Sequence, residues 1–302
     1  MPLDRSFFVI LNPAAGHGRG KRRFESYLPL LRAHLGAFDS AATSGPGDER
    51  EIADRAIADG YGAIIAVGGD GTWGAVADRI VRSGRKDVAL GLLPAGTGND
   101  FGKSIGVRTD SVEKIVRGIA EGRRRLIDVG RAGTRYFLNV VGFGFDIAVI
   151  DDAAGFPLLH GDLLYRFCAL RQLFKYKRLP IEISDGVAPP SRDDHLMLTI
   201  SNGNYFGGSF HIAPDAALDD GQLNAVSIFD AGPLGRAGLF SKVAHGAHQG
   251  HARVRVRQAP RFTVRFDSPV RYEIDGEVYD LDGKTLDVEA VPRALSIFVP
   301  AD

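Results

Sequence analysis

Two glycine-rich segments each follow directly on an apolar run. Gly68-Gly69-Asp70-Gly71-Thr72 comes after Ala63-Ile64-Ile65-Ala66-Val67, and Gly96-Thr97-Gly98-Asn99-Asp100 comes shortly after Val88-Ala89-Leu90-Gly91-Leu92. A strand that empties into a glycine turn and then a helix lets backbone N–H groups approach a phosphate, because no side chain stands in the way. Two such turns at the ends of neighbouring strands would form one polyphosphate cradle. Asp70 would by itself repel phosphate. It becomes favourable if it holds Mg²⁺ or a water that bridges phosphates, and otherwise reads as a helix cap. Near the C-terminus, Asp275-Gly276-Glu277 reads on residue types alone as a hairpin turn.

Other motifs carry less chemistry. Gly16-His17-Gly18-Arg19-Gly20-Lys21 is not a P-loop, since its spacing is short and Arg22 stands where Ser or Thr belongs. Gly142-Phe143-Gly144-Phe145-Asp146 lacks the third glycine of a dinucleotide fingerprint. Both are expected to be tight turns. His245, His248 and His251 lack carboxylate neighbours and read as a surface cluster rather than a metal site. Cys168 is the only cysteine and lies among Leu164, Phe167 and Leu170, as a buried apolar thiol would.

The elements that must position these residues fall into two halves. Ser6–Leu11 reads as a buried strand, Arg22–Leu35 as a helix, Phe38–Thr43 as a strand and Asp48–Asp59 as a helix stopped by Gly60. With the two strand–turn units this is the alternation of a parallel α/β sheet. From about Asp128 onward short strand patterns dominate, among them Tyr136–Val141, Thr285–Ala290 and Ala294–Val299. The expected division is an α/β domain over 1–128 and a β-rich domain over 129–302, with the final residues free to return to the first. Lys+Arg and Asp+Glu are both 37 in 302 residues, so no global charge argues for nucleic acid. The N-terminus lacks the basic region and long apolar core of a signal peptide, and no apolar stretch approaches a spanning helix. A cytoplasmic protein, at most peripheral at the inner membrane face, is the expectation.

The ordered set Asn12-Pro13-Ala14-Ala15-Gly16, Gly68 to Thr72, Pro94 to Phe101, Asn202-Gly203-Asn204-Tyr205-Phe206-Gly207-Gly208, Ala213-Pro214-Asp215-Ala216, Asp219-Asp220-Gly221 and Asp275-Gly276-Glu277 spans nearly the whole chain. It resembles the diacylglycerol kinase-type catalytic domain of bacterial soluble lipid kinases, related to sphingosine kinases and more distantly to NAD kinases. The resemblance implies a three-layer nucleotide-binding α/β domain and a C-terminal β-sandwich, with the active site in the cleft between them. It implies ATP as cofactor, surrounded by Asn12, Pro13, Gly16, Thr43, Gly68, Gly69, Asp70, Gly71, Thr72, Gly96, Thr97, Asn99 and Asp100, with the backbone of 68–72 and 96–98 on the phosphates. It implies a general base at Asp275 or Glu277, and a largely structural Mg²⁺ held by the Asp220 side chain and the carbonyls of Ala217 and Gln222. The implied reaction is phosphoryl transfer from ATP to a lipid hydroxyl, diacylglycerol first. The alternatives are a soluble acceptor, as in NAD kinase, and a non-catalytic nucleotide- or lipid-binding protein. Partners would be the lipid, a membrane surface and, as a candidate assembly, a homodimer.

The chain departs from that pattern at one place. The family usually continues its first glycine turn with a large apolar residue, Asn and Glu. Here Trp73-Gly74-Ala75 stands instead. Finally, Phe156–Arg178 interleaves Leu158, Leu159, Leu163, Leu164, Phe167, Leu170, Leu173 and Phe174 with Arg166, Arg171, Lys175, Lys177 and Arg178. It reads either as a helix packed on the sandwich or as a basic amphipathic helix lying on an anionic membrane.

Overall fold

The computed structural model describes residues 7–155, 162–208 and 210–301. Strands β1 (Phe7–Leu11), β2 (Asp39–Ala42), β3 (Ala63–Gly68) and β4 (Ala89–Pro94) form a parallel sheet in the order β2-β1-β3-β4. Every residue of β3 and β4 is buried, as strands covered on both faces must be. A short turn, α1 (Ala15–Gly18), leads into α2 (Gly20–Leu35), which returns the chain to β2 at the sheet edge. The connections α3 (Asp48–Ala58) and α4 (Asp70–Ser83) run the opposite way along the sheet. Right-handed crossovers therefore put them on the other face. The short α5 (Asp100–Ser104) follows β4, and α6 (Val112–Ala120) packs beside α2 to complete three layers. Ile52, Ala53, Ala56 and Ile57 form the buried stripe of α3, and Gly60 follows it with φ +87°.

The rest of the described chain is mostly antiparallel. In order come β5 (Arg124–Ala132), β6 (Arg135–Phe137), β7 (Val140–Gly144), α7 (Phe145–Ala154), α8 (Asp162–Lys175), β8 (Leu179–Ser184), β9 (Ser191–Ser201) and β10 (Leu223–Phe229). Then follow α9 (Gly232–Ala244), β11 (Val254–Ala259), β12 (Arg261–Phe266), β13 (Arg271–Ile274), β14 (Glu277–Asp280) and β15 (Thr285–Phe298). Two apolar clusters fill this part. One is centred on Phe143, Phe262 and Ile200, the other on Val140, Leu196 and Ile228.

The last strand ties the halves together. The N-terminal part of β15 pairs antiparallel with β12, and its end runs parallel to β4 through Ser296↔Ala89 and Ile297↔Leu90. A register shift between Val291 and Leu295, at Pro292 and a left-handed Arg293 (φ +50°), separates the two parts. The sequence pattern splits this strand in two because those residues interrupt its alternation, while the pairing with β5 continues on both sides. Conversely, Tyr136–Val141 is two strands, not one. The intervening Leu138 and Asn139 turn their N–H groups onto the Asp275 carboxylate.

Three smaller expectations resolve plainly. Cys168 is buried. His248 is not on the surface: it is buried, with Nε2 at 2.9 Å from the Ile212 carbonyl, while His245 is exposed. Of the amphipathic segment, residues 156–161 lie outside the described residues, and 162–175 form α8 with Leu170 and Phe174 exposed. Among the described residues no helix is long and apolar enough to cross a membrane.

Candidate active site

The C-terminal ends of the four parallel strands meet in one place, where open α/β sheets carry their ligands. Asn12 follows β1 and donates its backbone N–H to Val67 (3.0 Å), while Thr43 follows β2 and donates to Leu11 (2.8 Å). The Asn12 side chain donates to Thr72 Oγ1 at 2.9 Å, which ties the end of β1 to the first turn of α4. A cleft of about 490 Å³ opens here. Of the residues expected around a nucleotide, Asn12, Pro13, Gly16, Thr43, Gly69, Gly71, Thr72 and Gly96 line it, and so does Glu277. Gly68, Asp70, Thr97, Asn99 and Asp100 do not line it.

The two glycine turns do come together, but with unequal roles. A Cβ on Gly96 would lie 2.6 Å from Gly69 Cα and 2.9 Å from Asn99 Oδ1. The N–H groups of Ala95 and Gly96 both donate to the Gly68 carbonyl, at 2.7 and 3.0 Å. Asn99, itself left-handed with φ +50°, closes the turn by accepting from Gly96 N–H and donating to Gly96 O. Asp70 accepts the N–H groups of Asp100 (3.0 Å) and Phe101 (2.9 Å). The second turn therefore spends the amides of Ala95, Gly96, Asp100 and Phe101 on buttressing the first. The opening turn of α4 leaves the amides of Asp70, Gly71 and Thr72 with no partner within the helix, at the positive end of its dipole. Burial, helped by the neighbouring Asp100, pushes the Asp70 carboxyl up to about 6. Asp100 is buried too, with Lys103 at 2.6 Å and the N–H of Gly208 at 2.7 Å, so this pair also fastens the turn to the loop that follows β9. Replacing Gly96 by alanine is expected to pry the turns apart, lowering stability by about 1–3 kcal/mol. Thermal melting checks it, and an unchanged melting temperature would contradict the contact.

Asp275 and Glu277 separate cleanly. Asp275 and Gly276 form a two-residue turn with φ +47° and +92°, the left-handed pair that joins β13 to β14. The Asp275 side chain is buried and accepts N–H groups from Leu138 (2.7 Å), Asn139 (3.0 Å) and Val140 (2.9 Å). Burial outweighs those three donors and raises its carboxyl to about 7. Its role in this geometry is to anchor the hairpin. Glu277 instead faces the cleft. Its Oε1 lies 3.8 Å from where a Cβ on Gly71 would sit, and it separates the cleft from a smaller cavity lined by Arg50, Gly74, Arg135 and Tyr279. Its Oε2 accepts from Arg50 at 3.0 Å and from the Tyr279 hydroxyl.

The departure at residues 73–75 now has a physical reason. Trp73 is fully buried and donates its indole N–H to the Ala66 carbonyl (3.1 Å), which pins α4 to β3. A Cβ on Gly74 would lie 3.0 Å from Asp275 Oδ2. Glycine here lets the hairpin anchor close against α4, where a larger polar residue would hold it off.

The sequence reading missed two supporting groups. Behind the hairpin, Glu273 Oε1 accepts the Gly276 N–H at 2.8 Å, and its carboxyl faces that of Asp146. Burial raises both, Asp146 to about 6 and Glu273 well above its usual range through burial and then the neighbouring Asp146. The other group is Asp128 on β5. It accepts from Gly221 (2.6 Å) and Arg293 (2.7 Å) while its N–H donates to Leu218 (2.6 Å). Neither has a motif. Their only signal was an acid inside a strand pattern or directly after one.

Asp128 thereby fixes the loop that carries the expected Mg²⁺ ligands. Asp220 is exposed; its Oδ1 accepts the Gln222 N–H and its Oδ2 the Gln258 amide, both at 2.9 Å. Each oxygen keeps a lone pair, and with the carbonyls of Ala217 and Gln222 the donor set is the all-oxygen kind Mg²⁺ takes. Among the described residues no cluster of three or more His, Cys, Asp or Glu could hold a metal, so an ion here would depend on those backbone oxygens.

Comparisons with known proteins agree with this architecture. Residues 6–132 match the diacylglycerol kinase catalytic domain, and residues 139–299 match the YegS C-terminal NAD kinase beta sandwich-like domain. The chain belongs to the family of two-domain proteins defined by these parts, the diacylglycerol kinase family. Relatives called diacylglycerol kinase include one from Staphylococcus saprophyticus, 27% identical over 97% of this chain and 95% of its own, and one from Staphylococcus aureus, 26% identical over 97% and 92%. The crystal structure of a diacylglycerol kinase from Bacillus anthracis str. Sterne superposes with a TM-score of 0.72 at 19% identity, covering 98% of this chain and 97% of that one. A second crystal structure from that organism reaches 0.79 at 21%, covering 98% and 95%. At such identities these structures establish the fold alone.

Proposed function

We propose that this protein is an ATP- and Mg²⁺-dependent lipid kinase that phosphorylates a hydroxyl group, with diacylglycerol the leading acceptor and phosphatidic acid the product. One observation carries the reading. Glu277, brought from the far end of the chain, stands at the rim of the cleft beside Gly71, at the start of α4 where the phosphates would lie.

Asn12, Gly16, Thr43 and the turn from Gly69 to Thr72 form the nucleotide cleft. The opening amides of α4 draw the phosphate chain to them. Glu277 is the general base. It is reachable from the cleft, it carries no backbone anchor of its own, and it sits where an acceptor hydroxyl in line with the terminal phosphate would present its proton. Asp275 holds that base in position. Mg²⁺ entering with ATP would supply charge neutralisation on the phosphates, and a second ion held by Ala217, Asp220 and Gln222 would stiffen the loop fastened by Asp128. An acceptor presented by an anionic membrane is supported by Leu170 and Phe174 exposed on α8, with Lys175, Lys177 and Arg178 around its end.

The test is incubation of the intact protein with Mg²⁺ and γ-labelled ATP on a panel of lipids in mixed micelles, with NAD as the soluble control. Label in one lipid, diacylglycerol first, is the expected result. Label in NAD alone would place the protein with kinases of soluble acceptors. Nucleotide binding with no labelled product would leave a binding protein.

A further inference from the structure

The cleft assigned to ATP has an electrostatic gap. A bound nucleotide triphosphate brings several negative charges, yet none of the residues lining the cleft is Lys or Arg, and two of them, Glu49 and Glu277, are acidic. The start of α4 offers roughly half a positive charge. Mg²⁺ entering with ATP would offset part of that charge, but the cleft lining itself supplies no side-chain cation beside the base.

Arg50 lines the smaller cavity on the other side of Glu277 and is paired with it. It is the third residue of α3, and its side chain is about one-third exposed. Its Nη2 lies 3.0 Å from Glu277 Oε2, and its Nη1 lies 3.9 Å from Glu49. Both carboxylates belong to the cleft wall. The neighbouring arginines are committed elsewhere: Arg82 to Asp78 (2.7 Å) and the Thr134 carbonyl, Arg135 over the Tyr279 ring at 4.0 Å, and Arg19 to the Gly16 carbonyl at 2.7 Å. A partly solvated ion pair is worth only about 0–1 kcal/mol. Exchanging the Glu277 partner for a phosphate, which accepts a guanidinium fork through two oxygens, therefore costs little and gains a stronger contact.

We propose that Arg50 is a further catalytic residue of this site, the contact for the terminal phosphate. Without nucleotide its guanidinium is parked on Glu277. With ATP bound it turns to the γ-phosphoryl group and leaves Glu277 free. The bond between the acceptor oxygen and Pγ then forms as the bond from Pγ to the β-bridging oxygen breaks. The acceptor's proton passes to Glu277, the electron pair leaves with ADP, and Arg50 stays protonated throughout. The inference rests on the kinase reading given above.

ADP lacks the group that Arg50 is assigned to hold, so the two nucleotides separate this role from a merely structural one. Calorimetric titration of Mg²⁺–ATP and Mg²⁺–ADP should show Arg50→Ala weakening ATP by about 10- to 100-fold and ADP by less than about threefold, with Arg50→Lys between wild type and Arg50→Ala. Glu277→Gln, which weakens the arginine's parking contact, should bind ATP at least as tightly as wild type. Equal losses for ATP and ADP in the Arg50 variants, or no loss for either, would overturn the assignment. So would weaker ATP binding by Glu277→Gln, which reads the same exchange should an arginine variant fail to fold. Wild-type protein that binds neither nucleotide would instead bring down the kinase reading itself.

Discussion

Replacing Glu277 by glutamine is expected to lower kcat by about 10²- to 10⁴-fold, the usual worth of a positioned general base, with little change in melting temperature. Glutamine keeps the size and one acceptor oxygen, so the contacts to Arg50 and Tyr279 survive in weakened form. What it loses is the ability to take a proton. Because Glu277 is reachable from solvent and its partners are all side chains, the fold has no stake in its charge. Activity within about threefold of wild type would remove Glu277 from the reaction.

The second large effect lies two residues away and has the opposite signature. Asp275→Ala leaves three buried backbone N–H groups, from Leu138, Asn139 and Val140, without an acceptor. At about 1–3 kcal/mol for each unsatisfied group, partly relieved by relaxation, the expected loss is about 3–5 kcal/mol. The melting temperature should drop on the order of 10 °C. Activity falls with it because the hairpin that carries Glu277 comes loose. A variant that melts like wild type but is inactive would reverse the roles of the two acids.

The buried acids also fix a pH dependence. Asp70 and Asp146 are raised to about 6 and Asp275 to about 7, and Glu273 is raised well above its usual range. An acid whose folded pKa lies above its unfolded value holds more protons in the native state. Its stabilisation is complete below the unfolded carboxylate range near 4 and is lost as pH rises through the folded value. These acids should therefore lower the melting temperature from about pH 5 to pH 8, opposed by buried His195 and His248, whose pKa values burial lowers and whose stabilisation grows as pH rises. With both histidines replaced by glutamine, a rise across that interval would mean that the hydrogen-bond donors around these carboxylates outweigh their burial.

Much of this was legible in the sequence because it depends on local chemistry. The apolar runs 63–67 and 88–92 can only be covered strands, and glycine turns after them place the cleft at the strand ends. Asp275-Gly276 marked the hairpin turn by residue type alone. What stayed hidden depends on contacts distant along the chain. Nothing near Gly96 says that the second turn spends its amides on the Gly68 carbonyl and the Asp70 carboxylate. The division of labour between Asp275 and Glu277 required knowing that Leu138 to Val140 present three N–H groups to one of them. Trp73-Gly74-Ala75 looked like a loss of polar function until Gly74 was seen against Asp275. Arg50 and Glu277 lie at opposite ends of the chain and meet only because β15 returns to β4 and closes the two halves on each other.

The central claim is phosphoryl transfer to a lipid hydroxyl with Glu277 as the base. Its most direct test is the transfer of label from γ-labelled ATP to diacylglycerol in mixed micelles, with wild type and Glu277→Gln measured side by side at equal folded concentration. Labelled phosphatidic acid from wild type, with a rate lower by two or more orders of magnitude from the variant, is the predicted result. Equal rates from both proteins, or no labelled lipid from a wild type that binds ATP, would contradict it.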